Sequence, residues 1–304
     1  MRDGLAVLVA SAAILAAVPA AHAQEGKDGN KLSVVASFSI LRDLVANVGG
    51  NRVDVTALVG PGGDAHVYEP SPADVRTVGA AGLIVINGLG FEGWMERLAQ
   101  ASAATAPVIV ASAGVVPRRT GNPGGAVQAA GPDPHAWQSV HNAEIYVSNI
   151  RDGLIRADPP GRTIYQGHAT AYLAELDRLD ADIRRVVAEI PPGRRKFITT
   201  HDAFGYFAAE YGFALVAAQG VSSETDPSAR DIAQIIRTVR EQQIPALFFE
   251  AAVDRRLVRR IAAETGVRIG GTLYADTLSA PTGPAATYID MMRHNIHEIV
   301  KGLP

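Results

Sequence analysis

The segment from Arg162 to Ile190 limits what this chain can fold into. It reads RTIYQGHATAYLAELDRLDADIRRVVAEI. Tyr165, Ala169, Tyr172, Leu176, Leu179, Ile183, Val186 and Ile190 step by threes and fours, so one apolar stripe runs its length. Asp177, Arg178, Asp180, Asp182, Arg184 and Arg185 take the other faces. Pro159 and Pro160 precede it and Pro191, Pro192 and Gly193 follow, as expected at helix borders. At a rise of about 1.5 Å per residue the helix is about 40 Å long, the width of a small domain. A coiled-coil strand would carry the same stripe, but about four heptads is the lower limit for that reading. Short strands alternate with helices on both flanks, so a strut between two α/β lobes fits better.

Ahead of the helix, apolar runs predict strands over 32–38, 53–59, 83–87 and 107–111. Helices are predicted over 40–48, ended by Gly49-Gly50, from Pro72 with Ser71 as N-cap, over 91–101, and from a cap at Asn142 to Ala157. Beyond it, strands are expected over 196–200, 213–217, 246–249 and 267–274. Helices follow from His201 through Tyr211, and over 228–243, 254–265 and 285–302. The Gly- and Pro-rich stretch 114–132 and the polar stretch 222–227 read as loops. The expected fold is α/β, with two lobes, each a mainly parallel sheet flanked by helices, joined by one long rigid helix. The boundaries are 24–158, 159–192 and 193–304, behind a leader over 1–23.

That leader has Arg2, an apolar run from Leu5 to Val18 and Ala21-His22-Ala23 before Gln24, the pattern of a cleaved signal peptide. The run is short for a membrane span, and 24–30 reads as loose. With 304 residues and 47% hydrophobic content the chain can bury a large core. A net charge of -3 gives no electrostatic case for nucleic acid or an anionic membrane. There is no cysteine, so neither disulfides nor a lipidated thiol are expected. The sum of these features predicts a soluble, monomeric protein of the periplasm.

Three of the eight histidines share a setting. His66 lies in the loop GPGGDAHVYEPSP after the second strand, His135 in Asp133-Pro134-His135, and His201 directly after FITT. Asp276 follows the last strand in LYADTLS. Open α/β sheets bind ligands beyond the carboxyl ends of their strands. Three imidazoles and a carboxylate on such loops suit a borderline divalent metal. Each also has a plainer reading, as a solvated loop histidine or a turn-capping aspartate. His141 reads as an outer contact or a surface residue, and His168, His294 and His297 as exposed helix residues. Glu250 ends a strand and could orient an imidazole. No cysteine nucleophile, G-x-S-x-G elbow, phosphate loop or H-E-x-x-H helix is present.

GGDAHVYEPSPADV, DPHAWQSVHNA, THDAFGYFAAEYGF and LYADTLS, in this order, resemble the signatures of the zinc and manganese substrate-binding proteins of bacterial ABC transporters. The likeness runs from Leu32 to Leu303. It implies two α/β lobes joined by a rigid helix, with the metal in the cleft and His66, His135, His201 and Asp276 as its ligands. It implies Zn(2+) as cargo, with Mn(2+) second, and an inner-membrane ABC permease as partner. A periplasmic metal-donor protein is a further candidate partner. Two departures stand out. Gln138, Ser139, Val140 and His141 replace the Leu-Asp-Pro that often follows the tryptophan, and 114–132 lacks the His- and acid-rich loop of many zinc members. A periplasmic zinc hydrolase using Glu250 or Asp202 as base is the competing class, and a metal-dependent adhesin a third. Four protein ligands leave no open position for water, which weighs against the hydrolase.

Overall fold

The chain forms two four-stranded parallel sheets of the same strand order. The structure, a computed structural model, describes residues 31–119, 131–220, 222–223 and 228–303. The expected signal peptide, the stretch 24–30 and parts of the loops 114–132 and 222–227 lie outside the described residues. In the first sheet β1 (Leu32–Phe38), β2 (Val53–Val59), β3 (Leu83–Ile86) and β4 (Val108–Val110) run in the order β2-β1-β3-β4. In the second, β5 (Lys196–Thr199), β6 (Ala214–Ala217), β7 (Ala246–Glu250) and β8 (Arg268–Leu273) run β6-β5-β7-β8. Of the central strands, β3 is continuously apolar and β1 is buried from Val34 to Phe38, because both their faces are covered, whereas β2, at an edge, alternates. Each order reverses direction once, between β1 and β3 and between β5 and β7. Such a reversal opens a crevice at the strands' carboxyl ends.

Helices connect the strands: α1 (Ser39–Gly49), α2 (Pro72–Gly79), α3 (Met95–Ser102) and α4 (Val140–Ala157) before the long α5 (Arg162–Ala188), then α6 (Gly205–Tyr211), α7 (Ala229–Glu241), α8 (Arg256–Thr265) and α9 (Tyr288–Gly302). The buried face of α5 consists of Tyr165, Ala169, Tyr172, Leu176, Leu179, Ile183 and Val187. Val187 takes the place expected for Val186, which is only half-buried. This stripe packs on α1 and α4 from one half of the chain and on α6 and α9 from the other. One hydrophobic core therefore runs from the first sheet past α5 to the near side of the second. A smaller core of Ile198, Val216, Ile235, Leu247, Val258 and Ile261 lies under α7 and α8.

Local chemistry moves some boundaries. Ser71 caps α2 in a reciprocal capping box with Asp74. Ser139, not Asn142, caps α4: its hydroxyl accepts the Asn142 N–H, while the Asn142 amide donates to Ala136 O. The helix expected from Phe91 begins at Met95, because residues 88–94 form a turn around Glu92. Its carboxylate accepts Ser37 Oγ–H and the N–H groups of Asn87 and Gly88. Two histidines differ from expectation. His168 is half-buried with Nδ1 3.2 Å from Val48 O, and His294 is half-buried with Nε2 2.9 Å from Thr272 O. His297 and His141 are exposed.

Candidate metal centre

Four side chains meet where the two crevices adjoin. His66, His135, His201 and Asp276 each offer a ligand atom within 4.8 Å of the others, and no other such group occurs among the described residues. Asp276 is the hub. Its Oδ2 lies 2.9 Å from His201 Nε2 and 3.4 Å from His66 Nε2, and its Oδ1 3.5 Å from His135 Nε2. The Nε2 atoms of His66 and His135 are 3.2 Å apart. His135 and His201 are fully buried and Asp276 nearly so.

Each of the three histidines is aimed by its own support. Asp64 Oδ1 accepts the His66 N–H at 2.9 Å, and Trp94 Nε1 donates to Ala65 O, so the His66 loop is pinned on both sides of its backbone. Asp133 repeats the device: Oδ1 accepts the His135 N–H at 3.0 Å and lies 2.9 Å from Nδ1 of the same ring. His201 leaves β5 at the reversal point of the second sheet, and Glu250 ends β7 beside it. Glu250 Oε1 accepts the His201 N–H at 2.9 Å and Oε2 lies 2.7 Å from Nδ1. Carboxylates at Nδ1 favour the proton there, which leaves Nε2 of His135 and His201 turned toward Asp276. Phe91 meets the His66 ring edge-on at 4.7 Å and closes one wall.

The electrostatics suit a cation. Burial pushes His66 below its ordinary value. Burial works against charge on His201, yet Glu250 and Asp276 together hold it well above the ordinary value. Burial likewise opposes ionisation of Asp276, but His201 and His135 hold it well below the usual carboxylate range. His201 Nε2 and Asp276 Oδ2 are close without hydrogen-bonding alignment, as are His201 Nδ1 and Glu250 Oε2 behind the ring, and Asp276 Oδ1 has no hydrogen-bond partner. Buried polar atoms with no such partner need a different one, and a divalent metal satisfies this donor set. All four ligands expected from the sequence are brought together, Glu250 stands behind one of them, and His141 lies away on the surface, 3.5 Å from Glu144. Asp64 and Asp133 had no assigned role. Their signal was the shared Asp-x-His spacing, which lets a carboxylate reach the backbone two residues on.

Two parallel sheets, a helical strut and a buried three-histidine, one-carboxylate cluster define a two-lobed metal-binding protein. The chain belongs to the family described as zinc-uptake complex component A, periplasmic, which it matches over residues 34–302. It is 35% identical over 298 residues to the manganese-binding lipoprotein MntA of Halalkalibacterium halodurans, covering 98% of this chain and 97% of that protein. It is 33% identical over 300 residues to the iron-binding protein YfeA of Yersinia pestis, covering 98% and 94%. The periplasmic zinc-binding protein TroA of Treponema pallidum superposes with a TM-score of 0.83 at 31% identity, covering 90% of this chain and 99% of that one. The family comprises receptors for metal transport, not enzymes. This protein is a metal-binding, substrate-binding component of an ABC transporter. No helix among the described residues is long and apolar enough to cross a membrane.

Proposed function

We propose that this chain is a periplasmic receptor that holds zinc between His66, His135, His201 and Asp276 and hands it to an inner-membrane permease. Residues 24–158 and 193–304 act as lobes, and 159–192 as the strut that limits how far they swing. The observation that carries the reading is the donor set: three imidazole Nε2 atoms and one carboxylate within 4.8 Å. Imidazole suits zinc, whereas manganese prefers oxygen-rich sites, and a given nitrogen and oxygen site holds zinc more tightly. Four protein ligands complete a tetrahedral shell.

A manganese receptor is the second reading. Relatives are named for manganese and for iron. Both oxygens of Asp276 face imidazoles, so a two-oxygen grip would raise the donor count to five. Growth of a deletion strain under chelation separates the readings. Zinc restores growth through the plasmid-borne gene on the first; rescue by manganese and not by zinc overturns it.

A further inference from the structure

The turn that bears His135 also holds the loop of Asp276. Trp137 Nε1 and Gln138 Nε2 both donate to Ala275 O, each at 2.8 Å, and all three residues are buried. Trp137 and Gln138 lie in one short 3-10 turn, Ala136–Gln138, directly after His135. On the far side of Asp276, Ser39 Oγ accepts the Leu278 N–H at 3.0 Å. The Gly62 N–H reaches Thr277 Oγ1 at 2.7 Å and Leu278 O at 3.2 Å. The loop follows the second sheet in sequence, yet residues from before α5 fasten it on both sides.

Gln138 is the member that packing alone does not explain. Trp137 already supplies Ala275 O with a donor. The Gln138 amide adds a second one, and its own Oε1 is left buried without a hydrogen-bond partner. An orphaned buried acceptor destabilises a fold relative to an apolar side chain of the same shape. A carbonyl with one donor can pivot about that bond, whereas two crossing donors fill both lone pairs and fix its direction.

We propose that Gln138 is a positioning residue for the bound metal. With Trp137 it locks the peptide that aims Asp276 and ties that ligand to the His135 turn, in addition to the hold that Asn295 of α9 and β7 keep on Tyr274 and Leu273 just before it. His135 and Asp276 therefore keep their spacing before metal arrives. The inference rests on these four residues being the ligands.

Gln138→Leu removes the donor and the orphaned acceptor together at similar volume. The metal-free variant is expected to melt at or above the wild-type temperature. Its zinc, followed by release to a chelating dye, is expected to dissociate about tenfold faster, the low end for loss of an outer partner at a metal site. Amides of 276–279 in the metal-free variant should exchange faster with solvent. Wild-type dissociation, or a fall in melting temperature that accounts for the faster release, overturns the proposal. Wild-type protein supplies a test that needs no variant: amides of 276–279 should be protected without metal, and zinc should add little. Strong zinc-induced protection there overturns it as well. Failure of the wild-type protein to bind zinc at all would instead refute the receptor reading.

Discussion

Glu250 meets His201 twice: one carboxylate oxygen accepts its backbone N–H at 2.9 Å, and the other lies 2.7 Å from Nδ1 as an ion-pair contact without hydrogen-bonding alignment. Both groups are buried, and both stand at the point where the second sheet reverses its order. A single side chain thus fixes where the ring begins and which way it faces.

Glu250→Gln keeps the size and removes the charge. The ring loses the carboxylate that favours a proton on Nδ1, and Nε2 becomes a poorer ligand. Zinc affinity is expected to fall about 10–100-fold, with far-ultraviolet circular dichroism unchanged. An unaltered Kd by chelator competition would show that Glu250 does not act through His201.

Replacement of the clustered histidines themselves should be more severe. Each of His66→Ala, His135→Ala and His201→Ala is expected to weaken zinc by more than about 100-fold, beyond the cost of losing an outer partner. His141→Ala should have no effect, because that ring is exposed and its contact is with Glu144. A Kd for His201→Ala equal to wild type would remove the residue from the site.

Much of this was legible before any fold was seen. The stripe of α5 follows from periodicity alone, since one face of a long helix must find a partner on each flank. The cluster of His66, His135, His201 and Asp276 was legible because loops at strand ends carry few residue types that bind metal. Their supports were harder to read. Gln138 finds its acceptor 137 residues away in sequence, and no local pattern encodes that. His168 and His294 were misread for the same reason: helical spacing places them on a face, but only neighbouring backbone decides that Val48 O and Thr272 O lie against them.

A buried carboxylate outside the site sets a pH dependence. Asp43 accepts the Tyr288 N–H at the start of α9 at 2.9 Å. Burial pushes its pKa from 3.8 up to about 6, with the Tyr288 N–H and Arg42 pulling the other way. The folded state therefore favours the protonated acid. That contribution is fully present below pH 3.8 and is lost as pH rises through about 6. At pH 7 the buried charge costs about 3 kcal/mol. Asp43→Asn should thus melt above wild type at pH 7.5, with the gap closing toward pH 4. A gap that is constant with pH, or that widens in acid, would contradict the assignment.

The choice of metal can be read from stability as well as from growth. A ligand that binds only the folded state stabilises it by RT ln(1 + [L]/Kd), about 4 kcal/mol at a thousandfold excess over Kd. Zinc should therefore raise the melting temperature by several degrees. At equal and saturating concentrations, the difference between two metals reports the ratio of their affinities alone, at about 1.4 kcal/mol per tenfold. Three imidazoles and one carboxylate predict a larger shift for zinc than for manganese, because each nitrogen donor favours zinc. A two-oxygen grip by Asp276 would narrow that difference without reversing it, since the imidazoles would still outnumber the oxygens. Melting curves of metal-free protein with each ion alone, in a non-chelating buffer, provide the measurement. A shift with manganese that equals or exceeds the shift with zinc would count against zinc as the cargo.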